Sequence, residues 1–579
     1  MIPNPGRNGY KWRLYDRVSR HIAGADAVLL PSLIGLVAGI VTGLGMVLFR
    51  LVVEGFQALF FGGESGGGYE SLPPLMRFLV PLAGGILVGI LFQRLAPLTR
   101  QVGVAHVIER LAFHEGHLPL RNAVVQFIGA SVCLISGHSG GREGPAIHVG
   151  AASSSFIGDR LHLPNNIRRV LIGCGTAAAI AASFDTPLAG VIFAMEVVLM
   201  EYTLTGFAPI MLASVSATLV SRQFFPVTSR VGPSELEIGH QDYMIHLLLS
   251  GLGIGILAAV LVRLLGFVAA RTKDYPPLPK FTAAGLITGL VALGVPQVMG
   301  IGYDTMDAVL AGELTILALV TITACKLLVT GVGLGLGLPI GVIGPSLMIG
   351  TTMGAALGVG YAQAGWVDPG STVMFALVGM GAMMGAVLHA PLAALTAVLE
   401  LSGEHQTVFP AMLIIVSAYL TARSLLRTDS VFAVMLRARG VDVRNDLLSQ
   451  SLSRLGVARA MSSEFATMDA TATRKMLIET LQERPLWLIF DTQEGERRLV
   501  AAAELAALLE TEESEDIDLD SAPLRRRAAA YVGFRSTLAE AQRRMEEQGI
   551  DALFVTERRE GGAIVGVLTR EDIERAYRV

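Results

Sequence analysis

The chain has 579 residues, 52% of them hydrophobic and 16% charged, with a mean hydropathy of +0.56. A composition this apolar excludes a single soluble domain, and recurring apolar runs of about 18 or more residues read as membrane helices. The net charge of -4 is too small to point to nucleic acid as a partner.

The first 25 residues carry Arg7, Lys11, Arg13, Arg17 and Arg20 without an apolar core, which predicts a cytoplasmic segment over 1–27 rather than a cleaved signal. Apolar segments come next, near 28–61, 73–97, 121–136, 145–157, 168–182, 187–200 and 206–224. After a polar break from Ser229 to Gln241, a second set covers 243–270, 280–299, 314–335, 341–361, 372–389, 391–401 and 408–426. Together they define a membrane body over 28–440, with halves at 28–228 and 242–440. Several segments are too short to span about 30 Å of hydrocarbon, so broken and re-entrant helices are expected. The cluster Arg423, Arg427, Arg437 and Arg439 places the C-terminal tail on the same side as the N-terminus. Both termini are therefore expected in the cytoplasm, with an even number of crossings.

Charge marks off the tail, since residues 441–579 hold 45 of the 94 Asp, Glu, Lys and Arg residues. A linker over 441–456 leads to two α/β units, 457–510 and 522–579. The first carries strand-like Pro485–Phe490 and Arg498–Val500 ahead of a helix. The second repeats the order with Ala552–Val555, Ile564–Leu568 and a helix from Arg570, and the acidic stretch Glu510–Asp520 between them reads as a solvated linker. Cys133, Cys174 and Cys325 sit in apolar segments with neither metal nor disulfide spacing, as packing residues do.

The chemistry concentrates in Gly141-Arg142-Glu143-Gly144-Pro145. Ionisable groups at membrane depth are costly and mark ion or proton paths. The surrounding glycines and proline predict a broken helix, tolerated in a bilayer only where it is buried or lines a cavity. Pro145 suits the first turn of a new helix, whose N-terminal amides and positive dipole end attract anions. The block therefore predicts an anion site with a titratable carboxylate, the plainer alternative being a Glu143–Arg142 ion pair at a loop. His148, five residues on, lies about 140° around the helix from Glu143. With no HExxH in the chain, it reads as a packed or pore-rim histidine rather than a metal ligand. No catalytic or metal-binding constellation is present.

The two halves repeat. Gly141, Gly144, Pro145 and Gly150 match Gly341, Gly344, Pro345 and Gly350 at identical spacing, and Gly175, Pro187-Leu188-Ala189 and Glu196 match Gly379, Pro391-Leu392-Ala393 and Glu400. Internal repeats with interrupted helices in corresponding places predict a transporter-like fold with its site at the repeat interface.

On these residues the chain resembles the CLC chloride channels and proton-coupled chloride antiporters. GREGP at 141–145 is that family's most specific signature, and Phe184-Asp185-Thr186-Pro187-Leu188-Ala189-Gly190 resembles a second block; the likeness covers roughly 28–440. The resemblance implies a homodimer with one pore per subunit, in a bacterial inner membrane. It makes Glu143 the external gating glutamate, which occupies an anion site when ionised and leaves it when protonated. It places the anion against Gly141, Arg142 and Gly144, against Val102 and Gly103, against Val342 and Ile343, and against Phe432.

Three of those positions depart from the family. Val102 stands where a serine hydroxyl is usual, Ile343 where a phenylalanine is, and Phe432 where a tyrosine is. Two side-chain donors are thereby lost, each typically worth about 1.5 to 3 kcal/mol to a charged acceptor, so chloride is expected to bind weakly. The family's internal proton-relay acid becomes Val197, with Glu196 beside it as an alternative proton path, which leaves channel and proton-coupled exchanger both open; the corresponding places of Glu196 and Glu400 in the repeats favour a structural role closing helix ends over ion binding.

The tail resembles a pair of CBS domains, modules that commonly bind adenine nucleotides near a T-x-x-D element, here Thr569 and Asp572. A helix capping box uses the same residue types. The first unit offers Ala501 and Glu504 instead, so at most one nucleotide site is expected, and no cofactor is required for passage. Two other classes stand beside anion passage: a membrane-embedded hydrolase and a non-conducting nucleotide-sensing membrane protein.

Overall fold

The computed structural model describes residues 28–61, 68–225, 243–441, 452–492, 495–512, 514–557 and 562–578. The N-terminal segment 1–27, the polar break Ser229–Gln241 and positions 442–451 of the linker lie outside the described residues. The described residues form two compact units, one of 28–159 and 169–441, the other of 160–168 with 452–578.

The first unit is helical throughout, as a lipid environment demands of backbone that must satisfy its own amides and carbonyls. Its first half runs α1 (Leu29–Phe61), α2 (Pro74–Gln93), α3 (Val104–Phe113), α4 (Leu120–Ile135) and α5 (Glu143–Arg160). Then come α6 (Asn165–Phe184), α7 (Pro187–Phe193), which continues into a π-helical turn over Ala194–Leu199, and α8 (Leu204–Phe224). The second half repeats the series as α9 (Met244–Arg271), α10 (Pro277–Gly294), α11 (Tyr303–Leu310), α12 (Ile316–Gly335) and α13 (Ile343–Gln363). It ends with α14 (Thr372–Leu388), α15 (Pro391–Ser402), α16 (Val408–Leu420) and the short α17 (Val431–Ala438). Among the described residues, nine helices are long and apolar enough to cross a membrane.

Corresponding helices begin the same way. α2, α7, α10 and α15 all start on proline, whose missing amide hydrogen and fixed φ cost nothing at a first helical position. Corresponding glycines let helices touch backbone to backbone. A Cβ added at Gly150 would lie 2.4 Å from the Gly175 carbonyl oxygen, and one at Gly350 would lie 2.3 Å from that of Gly379. These are the glycines that match in the repeat, and they join α5 to α6 and α13 to α14.

The second unit is α/β. After α18 (Val457–Ala460), the first motif comprises β1 (Phe465–Asp469), β2 (Thr471–Thr473), α19 (Arg474–Gln482), β3 (Trp487–Asp491), β4 (Arg497–Ala501) and α20 (Ala502–Thr511). After β5 (Asp516–Asp518), the second comprises β6 (Arg527–Gly533), α21 (Leu538–Gln548), β7 (Ala552–Thr556), β8 (Ile564–Thr569) and α22 (Arg570–Arg578). Six strands form one sheet in the order β1-β3-β4-β6-β7-β8. β1 pairs β3 in parallel and β6 pairs β7 in parallel, so each motif repeats the same strand-helix-strand-strand-helix plan. Alternation of side chains across each strand gives the central strands two buried faces. Leu488, Phe490 and Val500 join one core, and Ile489 and Leu499 meet Phe554 and Val567 in another.

The acidic stretch 510–520 is not a solvated linker. α20 extends to Thr511, and Asp516–Asp518 pairs antiparallel with β2. The reason is an apolar alternation beneath the charges: Ile517 and Leu519 are buried, whereas Asp516, Asp518 and Asp520 are less so.

Candidate functional site

The two halves of the membrane body meet at a pair of glycines. The Gly141 amide donates to the Gly341 carbonyl at 2.8 Å, and the Gly341 amide donates back to the Gly141 carbonyl at 2.8 Å. This bridge sets the starts of α5 and α13 side by side. Both helices point unpaired first-turn amides and positive dipole ends into the same small volume, an arrangement that attracts negative charge.

Glu143 fills that volume. Its side chain is fully buried, and Oε2 accepts a hydrogen bond from the Gly344 amide at 3.2 Å. The carboxylate rests on glycine backbone from both halves. A Cβ at Gly141 would come within 1.9 Å of Oε2, one at Gly341 within 3.0 Å of Oε2, and one at Gly344 within 3.1 Å of Oε1. Any side chain at 141 would expel the carboxylate from its seat. Oε1 is buried with no hydrogen-bond partner, so the carboxylate is cradled but incompletely satisfied.

Arg142 turns the other way. Nη1 contacts Glu54 Oε1 at 3.3 Å and Nη2 donates to the Ser183 carbonyl at 2.6 Å, so its guanidinium is engaged by α1 and α6 rather than by Glu143.

The other predicted anion contacts are buried and apolar. Val102 and Phe432 are each 6% exposed, and Ile343, the first residue of α13 after Val342, is 2% exposed. Gly103 has φ +87° with open space around its Cβ position, so backbone conformation alone requires glycine there. Phe432 is presented by α17, which packs on α3, and Arg439 at the end of α17 donates to the Val102 carbonyl at 3.2 Å. None of Val102, Ile343 and Phe432 carries a side-chain donor.

Glu196 is occupied elsewhere. Its carboxylate accepts from the Ala393 amide at 2.7 Å and the Leu392 amide at 3.3 Å, capping α15, while Val197 beside it is buried.

Several polar groups in the membrane body escape a reading of spacing. His106 and His148, both buried, share a hydrogen bond of 3.2 Å between Nδ1 and Nε2. They lie on separate helices, so no motif links them. Lys326 is fully buried in α12 and donates to the Val298 and Gly300 carbonyls at 3.0 and 2.8 Å. A single cation within the apolar run 314–335 is the signal that could have found it. Arg50 on α1 donates to Glu54 at 2.5 Å, which joins it to Arg142 through a shared carboxylate.

In the tail, Thr569 Oγ1 and the Thr569 amide both donate to Asp572 Oδ2, at 2.7 and 3.0 Å, and the Asp572 amide returns a bond to Thr569 Oγ1 at 3.3 Å. The pair forms a reciprocal cap on α22. At the corresponding place in the first motif, Glu504 accepts from the Arg525 amide at 2.9 Å.

Residues 84–423 match the voltage gated chloride channel family, and residues 525–579 match the CBS domain family. The chain is 29% identical over 413 residues to the voltage-gated ClC-type chloride channel ClcB of Escherichia coli, covering 69% of this chain and 97% of that protein. Its fold is similar to that of a slow cyanobacterial Cl-/H+ antiporter, with TM-score 0.63 and 21% identity, covering 71% of this chain and 97% of the other. It is also similar to a eukaryotic CLC transporter, with TM-score 0.60 and 18% identity, covering 94% of this chain and 97% of the other.

Proposed function

Since this chain belongs to the voltage gated chloride channel family, whose members are channels and transporters rather than enzymes, we propose that it passes small inorganic anions of the chloride type across a membrane, gated by protonation of Glu143. The observation that carries this reading is the seat of the Glu143 carboxylate between the starts of α5 and α13, against Gly141, Gly341 and the Gly344 amide. An ionised carboxylate there occupies the position an anion would take; a protonated one has less reason to stay.

Passage without a fixed proton ratio is favoured by the state of the second acid. Val197 cannot titrate, and the Glu196 carboxylate is engaged by two amides of α15. With Val102 and Phe432 offering no hydroxyl, the anion is held by backbone amides alone, which accords with weak chloride binding and tolerance of other monovalent anions.

The functional unit is proposed to be a homodimer in the bacterial inner membrane with both termini in the cytoplasm. Exposed apolar residues on α8 and α16, such as Leu219 and Met412, suit either lipid or a second copy. The CBS pair is proposed to regulate passage, with an adenine nucleotide at Thr569 and Asp572 as its candidate ligand.

Anion flux from liposomes containing the full chain, recorded together with proton movement, tests the reading. Anion flux without stoichiometric proton flow is expected. Uphill proton movement at a fixed ratio would establish an exchanger, and absence of any anion flux would favour a non-conducting sensor.

A further inference from the structure

Beside the Glu143 seat, α1, the end of α4, Arg142 just ahead of α5 and the start of α11 surround a cavity of about 40 Å³, lined among others by Arg50, Glu54, Arg142 and Tyr303. That is room for an ion with part of its water shell, since one water needs roughly 10–15 Å³. Its polar groups are unbalanced. Arg50 Nε and Arg142 Nη1 both bond to the same oxygen of Glu54, at 2.5 and 3.3 Å, so two guanidiniums share one carboxylate oxygen. Arg142 Nε and the Tyr303 hydroxyl are buried with no hydrogen-bond partner. The Arg142 guanidinium lies 5.4 Å from the centre of the Tyr303 ring, so these unpaired groups belong to one cluster.

Buried donors left unpaired cost free energy and are commonly completed by a ligand or water. The ligand that fits two guanidiniums and a hydroxyl donor is an acceptor carrying negative charge. Charge counting links this cavity to the gate. Arg142, which lines the cavity, directly precedes Glu143 in the chain. With Glu143 ionised, the two arginines and two glutamates sum to zero; with Glu143 protonated, the cluster is left with a net positive charge.

We propose that this cavity is an antechamber that captures a small monovalent anion on Arg50, Arg142 and Tyr303 before it reaches the Glu143 seat. Capture is strongest when Glu143 is protonated, which is when the seat behind it is free. The inference rests on anion passage as the function and adds a first binding step, with its own residues, on one side of the membrane.

The test is the concentration dependence of chloride flux through the reconstituted full chain, with chloride varied on one side at a time, for the unmodified protein, Arg50→Gln and Tyr303→Phe. Loss of one charge-assisted donor should raise the half-saturating chloride concentration about tenfold for Arg50→Gln and by a smaller factor for Tyr303→Phe. The change should fall on that concentration rather than on the maximal rate, and only for chloride supplied from the cavity side. Tyr303→Phe removes one unpartnered oxygen and guards against a folding defect in the arginine variant. Flux with unchanged half-saturation from both sides in both variants overturns the antechamber while leaving anion passage intact. No flux in the unmodified protein overturns both.

Discussion

Glu196 and Glu400 each cap a helix that begins in the opposite half of the membrane body. Glu196 accepts from the amides of Leu392 and Ala393 on α15, and Glu400 accepts from those of Leu188 and Ala189 on α7, at 2.8 and 2.7 Å. The exchange ties the halves together at a place apart from the Gly141–Gly341 bridge. Loss of an acidic cap costs about 0.5 to 2 kcal/mol. Glu196→Ala and Glu400→Ala should therefore lower thermal stability by similar amounts, while Glu196→Gln, which keeps an acceptor oxygen, should lose less. Unequal losses, with one alanine variant neutral, would show that the two caps are not equivalent.

The contacts between glycines of α5 and α6 predict a steric effect. At Gly175 an added Cβ would lie 2.1 Å from the Gly150 carbonyl oxygen, whereas at Gly253 on α9 nothing lies within 4 Å. Gly175→Ala must push the helices apart and should destabilise by about 1 to 3 kcal/mol. Gly253→Ala should be neutral or slightly stabilising, because alanine is the better helix former. Thermal unfolding in detergent compares them, and equal melting temperatures would contradict the packing described.

Much of this architecture is legible in the sequence, for identifiable reasons. The blocks at 141–145 and 341–345 announce broken helices because glycine and proline interrupt apolar runs at equal spacing, and their partners in the fold are each other. The separation of body from tail is legible because charge density changes abruptly near Val441. Contacts between side chains from unrelated segments are not legible. His106 and His148 lie on different helices, as do Arg142 and the Arg50–Glu54 pair, and no spacing relates them. β5 is hidden because the charges of Asp516, Asp518 and Asp520 mask the apolar alternation of Ile517 and Leu519. The corresponding places of Glu196 and Glu400 in the repeats already favour a role closing helix ends, but which helices they close becomes visible only once α15 and α7 are placed against them.

Restoring the absent donors should tighten chloride binding. Val102 and Phe432 are both buried, and Val102→Ser with Phe432→Tyr would add two hydroxyls, the serine also leaving more room beside the site than the valine it replaces. With about 1.5 to 3 kcal/mol for each hydrogen bond to a charged group, affinity should rise tenfold or more by calorimetry. An unchanged affinity would remove Val102 and Phe432 from the anion path.

Asp572 has a structural role against which the proposed nucleotide contact must be measured. As a cap on α22 it should cost about 1 kcal/mol of tail stability when replaced by alanine. If Thr569 and Asp572 also hold a ribose, millimolar adenosine nucleotide should raise the melting temperature of the unmodified chain and not that of Asp572→Ala. No shift in either protein would leave the pair as a cap alone.

Glu143→Gln carries the central claim. Glutamine keeps the size of the side chain and the glycine seat but cannot ionise, so it imitates protonated Glu143 at every pH. Anion flux through reconstituted Glu143→Gln should lose its pH dependence, any accompanying proton movement should disappear, and the protein should remain folded. Wild-type pH dependence in that variant would contradict the assignment of Glu143 as the gate.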